Sequence, residues 1–508
     1  MSQSGFYVTT PIYYISGNPH IGHAYTSIAA DVVARYHRSN GATFFLTGSD
    51  EHGQKVAQAA QAAGLSPQAY ADELVPKWKT LCRRYDVRYD DFIRTTEPRH
   101  TNQVVEVFER LKASGDVYLG TYEGWYCTSD ETFWLETKLV NGRCPNPECG
   151  REVQWLSEDN WFFALSKYRD RLLEYYREHP RFVRPQRAYN EMLVTIESGL
   201  DDLCISRVNV EWGVPLPGGG VMYVWLDALL NYITALDFSS NGERMQTFWP
   251  ASVQLIGKEI ARFHTIIWPA VLWALGLPAP ECIFAHGWMT LEGEKISKSR
   301  GNIVDPFELV DRFGADSIRY FLLREAPFGS DFSFSEEKVR VRRNGDLGND
   351  LGNFVKRSLA MVSRYRDGRV PEPAVPSEFG AKFVDLPSRA AERLSDLAFR
   401  EALEIVWELV TALNAYIDTQ KPWELQKRGD SATLDSVLYD LCEGVRWLAT
   451  LLWPFMPVKA GEIWQQLELS GEPDGAWSDL RWGGLAGGTP IRPAEAPLFP
   501  RLDPEPVA

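Results

Sequence analysis

The sequence has no stretch long and apolar enough to cross a bilayer. Its longest apolar run, Ile266 to Leu277, contains Pro269 and falls short of the roughly 20 residues a membrane helix needs. It also lacks positive charge overall. Lysine and arginine number 53 against 68 acidic side chains, leaving −15 at pH 7. That balance speaks against a general polyanion binder and confines any nucleic-acid contact to local basic patches on an acidic body. Cysteine is scarce and odd in number, at seven, which fits reduced thiols or a metal site rather than a disulfide framework. There is no internal repeat. Strand-forming sequence begins by Phe6 and leaves no room for a signal or transit peptide, so a cytoplasmic location is expected.

What is present belongs to a globular chain. A hydrophobic content of 44% and a charged content of 24% over 508 residues predict two to four units with a sizeable core. Residues 1–115 read as alternating strands and helices. Phe6 to Ile15 is rich in β-formers, Ser16-Gly17-Asn18-Pro19 is turn chemistry, and helical spacing follows from His20, with Ile21, Ala24, Tyr25, Ile28, Ala29, Val32 and Val33 on one face. His20 and His23 then fall in a first turn, where exposed N–H groups favour a phosphate. Gly22, without a side chain, would let a flat ring approach the backbone. Either histidine alone reads as an ordinary structural residue.

A second cluster lies far downstream. Lys295-Ile296-Ser297-Lys298-Ser299, followed by Arg300-Gly301-Asn302, gathers positive charge and donors suited to a phosphate chain whose leaving group gains charge. Alone it reads equally as a solvated basic loop. The strand Ala42 to Thr47 leads to Asp50 and His52, and ligands of open α/β sheets gather at such carboxyl ends. Asp50 there would hold an ammonium group or cap the helix predicted over Gln54 to Ala63. Val253 to Ile256 is a buried-type strand meeting Gly257-Lys258-Glu259. Glu259 would accept ribose hydroxyls and Gly257 would admit a nucleotide. Strand-to-helix turn chemistry explains the same residues.

Pro19-His20-Ile21-Gly22-His23 and Lys295-Ile296-Ser297-Lys298-Ser299 resemble the HIGH and KMSKS signatures of class I aminoacyl-tRNA synthetases. Thr10-Pro11-Ile12-Tyr13-Tyr14, Gly48-Ser49-Asp50-Glu51-His52-Gly53 and Tyr223-Val224-Trp225-Leu226-Asp227-Ala228 narrow the resemblance to the methionyl family, over residues 5 to 465. It implies a Rossmann-like, doubly wound parallel sheet with an inserted zinc-knuckle-type connective domain, followed by an all-α bundle. It also implies methionine, ATP with Mg²⁺ and tRNA(Met), initiator included, as partners. His20, Gly22, His23, Gly257, Glu259, Lys295 and Lys298 would serve ATP. Asp50 would take the ammonium group. Ile12, Tyr14, Trp225, Leu229, Tyr232, Ile260 and His264 would line a pocket suited to a polarisable thioether, although core packing accounts for Leu229 and Ile260 individually.

The resemblance also sets the expected boundaries: 1–115 and 223–290 for the catalytic halves, 116–222 for the insertion, and 291–345 for the lysine loop and stem contacts. An anticodon-binding bundle would span 346–470 and a Gly/Pro-rich segment 471–508. Cys127, Asp130, Cys144 and Cys149 resemble a knuckle in which aspartate replaces one cysteine and the second pair is widened. Either one structural Zn²⁺ is held there, or the knuckle folds by packing alone. Helices are predicted over Leu386 to Trp407, Thr411 to Asp418 and Leu434 to Trp453, with irregular chain from Gly471. Lys338, Arg340, Arg342, Arg343, Lys356 and Arg357 offer a basic patch or a solvated face. Asn414 and Trp464 would reach an anticodon or serve structure. With no further dimerisation domain, a monomer is expected. The insertion is too short for the editing domain of the leucine, isoleucine and valine enzymes. A cysteinyl enzyme would need a thiol-coordinating metal within its catalytic fold. A small-molecule nucleotidyltransferase would not need the helical module, and the intact signatures speak against a non-enzymatic RNA-binding scaffold.

Overall fold

A computed structural model describes residues 5–130, 132–134, 136–146, 149–291, 294–295, 304–373 and 378–503. The chain divides into two compact units, the first of Met1–Pro19, Thr43–Thr80 and Tyr89–His286, the second of His20–Ala42, Leu81–Arg88 and Gly287–Ala508.

The first unit is built on a seven-stranded sheet of β1 (Phe6–Thr9), β2 (Tyr13–Tyr14), β3 (Thr43–Asp50), β4 (Asp91–Arg94), β5 (Val183–Arg184), β6 (Val253–Gly257) and β7 (Ile283–His286). Every pairing is parallel. Such strands are covered on both faces and so carry continuous apolar runs; β3 is buried from Phe44 to Asp50. The strand runs further than the predicted Ala42 to Thr47, which makes Asp50 its last residue. β1 and β2 follow one edge of β3, with Thr10 N donating to Leu46 O and Ile15 N to Asp50 O. β4 follows the other edge. A side chain at Gly48 would put its Cβ 2.1 Å from Ile93 O, so only glycine permits this approach. From β1 the sheet grows one way through β3 and β4 and the other way through β6, β7 and β5. The direction therefore reverses between β1 and β6, and ligands of such folds bind outside the carboxyl ends of strands at that reversal.

An antiparallel sheet stands within the same unit. Val117–Cys127 pairs with Gln154–Phe163, flanked by Thr132–Trp134 and Leu203–Cys204. Tyr7, Leu226, Tyr232, Ile256 and Trp268, all buried, belong to one large core cluster with Leu172 and Tyr176 of the helix Arg169–Glu178.

The second unit is mainly helical. It holds Ile21–Arg38, a small sheet of Met289–Leu291, Glu294–Lys295 and Phe332–Phe334, and the helices Pro306–Phe313 and Ala315–Arg324. A helical run from Glu336 to Tyr365 has a π-helical middle, Arg343–Gly352. The bundle proper contains Leu386–Ser395, Phe399–Gln420, Ser431–Leu452 and Pro457–Gln466. The helix predicted over Leu386 to Trp407 is two, because Leu397 takes a left-handed φ of 56°, which a continuing helix excludes. Among the described residues beyond Gly471 the chain is irregular apart from the turn Trp477–Asp479 and a bridge of Pro490 to Arg369, yet Trp477, Leu480, Leu485 and Phe499 are buried. No helix among the described residues is long and apolar enough to cross a membrane.

Candidate active site

In the second unit the two histidines cap their own helix. His20 is the N-cap of Ile21–Arg38, a position outside the first turn where it was predicted. Its Nδ1 accepts from Gly22 N at 3.1 Å, and His23 Nδ1 accepts from His20 N at 3.0 Å. This is the reciprocal arrangement usually made by Ser/Thr and Glu. Two Nδ1 acceptors place the ring proton on Nε2 in each imidazole, so both are neutral N–H donors. The rings are close but tilted, with centroids 3.7 Å apart and planes 34° from parallel. Gly22 is explained by the same motif, since a Cβ there would sit 3.0 Å from the His20 ring.

The lysine loop is described at its two ends. Lys295 is paired through its backbone with Thr290; Lys298 lies outside the described residues. Where the chain is described again, Val304 O accepts from Ile21 N at 3.3 Å. The loop thus returns to the first turn of the histidine-capped helix, within the same unit.

The amino-acid candidates lie in the first unit. Trp225, Leu229 and Tyr232 share the helix Val224–Thr234. Ile260 and His264 belong to a helical run that opens as a 3-10 turn and becomes π-helical over Phe263–Ile267. π-Turns of this kind concentrate at functional sites. His264 Nδ1 donates to Ile260 O at 3.1 Å, so its Nε2 accepts from Tyr232 Oη at 2.8 Å. Burial pushes the His264 pKa down to about 4, which keeps the ring neutral. Trp225 stacks on Phe263 at 4.0 Å between ring centroids, a partner that sequence reading missed. Ile12 and Ile260 pack against the core cluster that contains Leu229 and Tyr232. Tyr14 pairs in register with Asp50 at the carboxyl end of β3. A Cβ at Gly257 would lie 2.5 Å from a Glu259 carboxylate oxygen, so the glycine makes room for that carboxylate.

Sequence reading also missed a buried charged network beside these residues. Asp227 accepts from His52 Nδ1 at 2.7 Å and His100 Nε2 at 2.8 Å. The sequence signal was one aspartate inside the otherwise apolar run Val224 to Leu230. Arg207 is a second buried charge, with its guanidinium 4.1 Å from the Tyr223 ring centroid and donating to Ser206 O at 2.7 Å.

Most of the downstream candidates are engaged internally, while Lys356 is exposed. Asn414 Nδ2 donates to Asp350 O and Val410 O, and Trp464 Nε1 to Ser470 O. In the basic patch, Lys338 and Arg342 pair with Glu325, Arg340 with Glu337 and Arg357 with Asp418. Arg343 donates to the Phe313 carbonyl.

At the knuckle the sulfurs of Cys127, Cys144 and Cys149 converge within 4.8 Å of one another. Asp130 Oδ2 lies 3.7 Å from Cys144 Sγ, and its Oδ1 accepts from Asn146 Nδ2 at 2.6 Å. Three thiols that converge in this way are a donor set suited to a metal ion, and Asp130, bonded to Asn146, is not part of the converging group.

A family model described as tRNA synthetases class I (M) matches residues 6–359. A methionine–tRNA ligase of Caldanaerobacter subterraneus subsp. tengcongensis is 48% identical over 98% of this chain and 79% of its own length. That of Thermotoga maritima is 46% identical over 98% and 80%. The Mycobacterium tuberculosis methionyl-tRNA synthetase in complex with methionyl-adenylate superposes with a TM-score of 0.93, at 41% identity, covering 98% of this chain and all of that one. The chain belongs to the methionyl-tRNA synthetase family.

Proposed function

We propose that this protein activates methionine with ATP to methionyl-adenylate and transfers the methionyl group to tRNA(Met), releasing pyrophosphate and AMP. The observation that carries the amino-acid choice is the Tyr232–His264 pair beside Trp225, a neutral polar tip in an aromatic wall. Such a wall suits an unbranched, polarisable thioether. In the first step the methionine carboxylate oxygen attacks the α-phosphorus and pyrophosphate leaves. In the second, a terminal ribose hydroxyl of the tRNA attacks the acyl carbon and AMP leaves. Neither step needs a protein nucleophile; each needs positioning and charge stabilisation.

Asp50 holds the ammonium group. Ile12, Tyr14, Trp225, Leu229, Tyr232, Ile260 and His264 enclose the side chain. Glu259 takes the ribose hydroxyls beside Gly257. His20 and His23 donate Nε2–H bonds to the triphosphate, with Gly22 between them, and Lys295 and Lys298 supply positive charge. Mg²⁺ accompanies the ATP phosphates as a hard cation on oxygen ligands. The helical bundle takes the anticodon, of initiator tRNA as well, residues 291–345 make the stem contacts, and the protein works as a cytoplasmic monomer.

ATP–pyrophosphate exchange with single amino acids tests this reading. Methionine should drive exchange far better than leucine, isoleucine or cysteine. Homocysteine should be activated measurably, because one methylene separates substrates by only about 1–3 kcal/mol in an apolar pocket. Exchange driven best by another standard amino acid would overturn the assignment.

Cys127, Asp130, Cys144 and Cys149 hold one Zn²⁺, which stabilises the knuckle and takes no part in catalysis, since a closed site has no open position. Protein purified without chelator should contain about one equivalent of zinc, and Cys144→Ser should lower both metal content and local stability. Less than about a tenth of an equivalent would mean that the knuckle folds by packing alone.

A further inference from the structure

The segment bearing Asp50 is fixed by charge on the residues that follow it. Glu51 takes a two-pronged bond from Arg94 at 2.7 and 2.9 Å, and accepts from Ser49 and Thr96 hydroxyls at 2.6 Å each. Its carbonyl accepts from the Trp212 indole N–H at 2.6 Å. His52, two residues past Asp50, is tied instead to Asp227, which lies two residues past Trp225 and two before Leu229 on the pocket helix.

Asp227 is fully buried, and its second oxygen accepts from His100 Nε2. His100 sits on the helix Pro98–Ala113, and its Nδ1 meets Thr234 Oγ1 at 2.7 Å, at the far end of the pocket helix. A carboxylate only accepts, so His52 presents Nδ1–H and His100 presents Nε2–H. Burial alone would raise the Asp227 carboxyl; the two imidazoles hold it down to about 2. An apolar contact would also fasten this helix, at less desolvation cost. What the charged network adds is direction and length, because charge-assisted bonds are short and aligned.

We infer that Asp227 is a positioning residue for amino-acid binding: through His52 it sets the distance between the Asp50 carboxylate and the side-chain pocket on its own helix. This rests on the reading that Asp50 holds the ammonium group while the Trp225 helix encloses the side chain. A substrate gripped at both ends senses that spacing, whereas ATP does not.

Asp227→Asn offers one acceptor and one donor where two acceptors are needed, so one imidazole must change tautomer or lose its bond, and the remaining bonds lose their charge assistance and alignment. The expected result is a KM for methionine raised about 10-fold to 100-fold, the signature of weakened ground-state binding. The KM for ATP and the kcat per titrated active site should stay within about twofold, since neither depends on that spacing. His52→Asn keeps an N–H donor where Nδ1 stood and should hold the methionine KM within about threefold of wild type. His52→Leu removes the donor and should repeat the Asp227→Asn phenotype; it gives the same test should the Asp227 variant not fold. If Asp227 acts through Asp50, the double variant Asp50→Asn/Asp227→Asn should bind methionine no worse than Asp50→Asn alone. A lower melting temperature with an unchanged methionine KM would make Asp227 a structural brace only and overturn the inference. An Asp50→Asn enzyme with an unchanged methionine KM would instead sink the ammonium reading itself.

Discussion

Lys298→Ala is expected to slow single-turnover formation of methionyl-adenylate by about 10²–10³, the scale of losing one preorganised stabiliser of developing charge. The helix cap explains why the loss should be that large. His20 Nδ1 and His23 Nδ1 are both taken up as acceptors for backbone N–H groups. Protonating either Nδ1 would remove its cap bond, so the pair works as neutral donors. Neutral donors orient a triphosphate; they do not balance the charge that accumulates on departing pyrophosphate. In the proposed site that balance falls to the lysine loop, which leaves the strand Glu294–Lys295 and comes back at Val304 to the backbone of Ile21. Methionine affinity, measured without ATP, should stay near wild type, because the residues proposed to hold methionine belong to the other unit. An unchanged single-turnover rate would leave the loop as a solvated basic turn. A loss of methionine binding of the same size would point to a folding defect.

Much of the fold was legible because its signals are local. A strand buried on both faces, such as Thr43–Asp50, must be apolar almost throughout. Helical spacing from His20 marked the start of Ile21–Arg38 to within a residue, though not its end. What escaped were the arrangements that need a third dimension. Asp227 joins partners 175 and 127 residues away, and no window of sequence contains them. The two histidines stood out, but a capping box is sought as Ser or Thr with Glu, so their first partners, the backbone N–H groups of Gly22 and His20, went unseen. The cations from Lys338 to Arg343 were counted without Glu325, Glu337 and Asp346, which pair with several of them. Beyond Gly471 the hydrophobic residues follow neither period 2 nor period 3.6, so irregular structure was predicted correctly while its burial was not. Glu443 helps to hold that segment, accepting from Gly483 N and Gly484 N at 2.7 Å each.

Arg319→Leu should be the most destabilising single change in the second unit, at about 3–5 kcal/mol, the range for removing one partner of a buried ion pair. Arg319 is fully buried, and each of its guanidinium nitrogens has a partner. Nε donates to Phe455 O at 2.8 Å, Nη1 to Tyr85 O at 2.9 Å, and Nη2 to Pro454 O at 2.8 Å and Asp31 Oδ2 at 2.7 Å. Four pieces of chain meet there: the histidine-capped helix, the strap Leu81–Arg88, the helix Ala315–Arg324 and the turn that ends Ser431–Leu452. Asp31 is equally buried and also accepts from Arg35 Nε at 2.7 Å and Arg88 N at 2.8 Å. Burial would raise its carboxyl, but Arg35 and Arg319 hold it below the usual range. Trp453 lies beneath Arg35 and Arg88, with centroid distances of 5.2 and 5.5 Å. Leucine at 319 would strand three carbonyls and leave Asp31 one cation short at a buried position. For a unit of this size the transition should fall by roughly 6–20 °C. Calorimetry checks this directly. Asp31→Leu/Arg319→Leu should cost less than the sum of its two single changes by about 1 kcal/mol or more, since removing both charges leaves neither unpaired. A single-variant transition within about 1 kcal/mol of wild type would show that water or a neighbouring group replaces Arg319, and that the junction is held by its apolar packing instead.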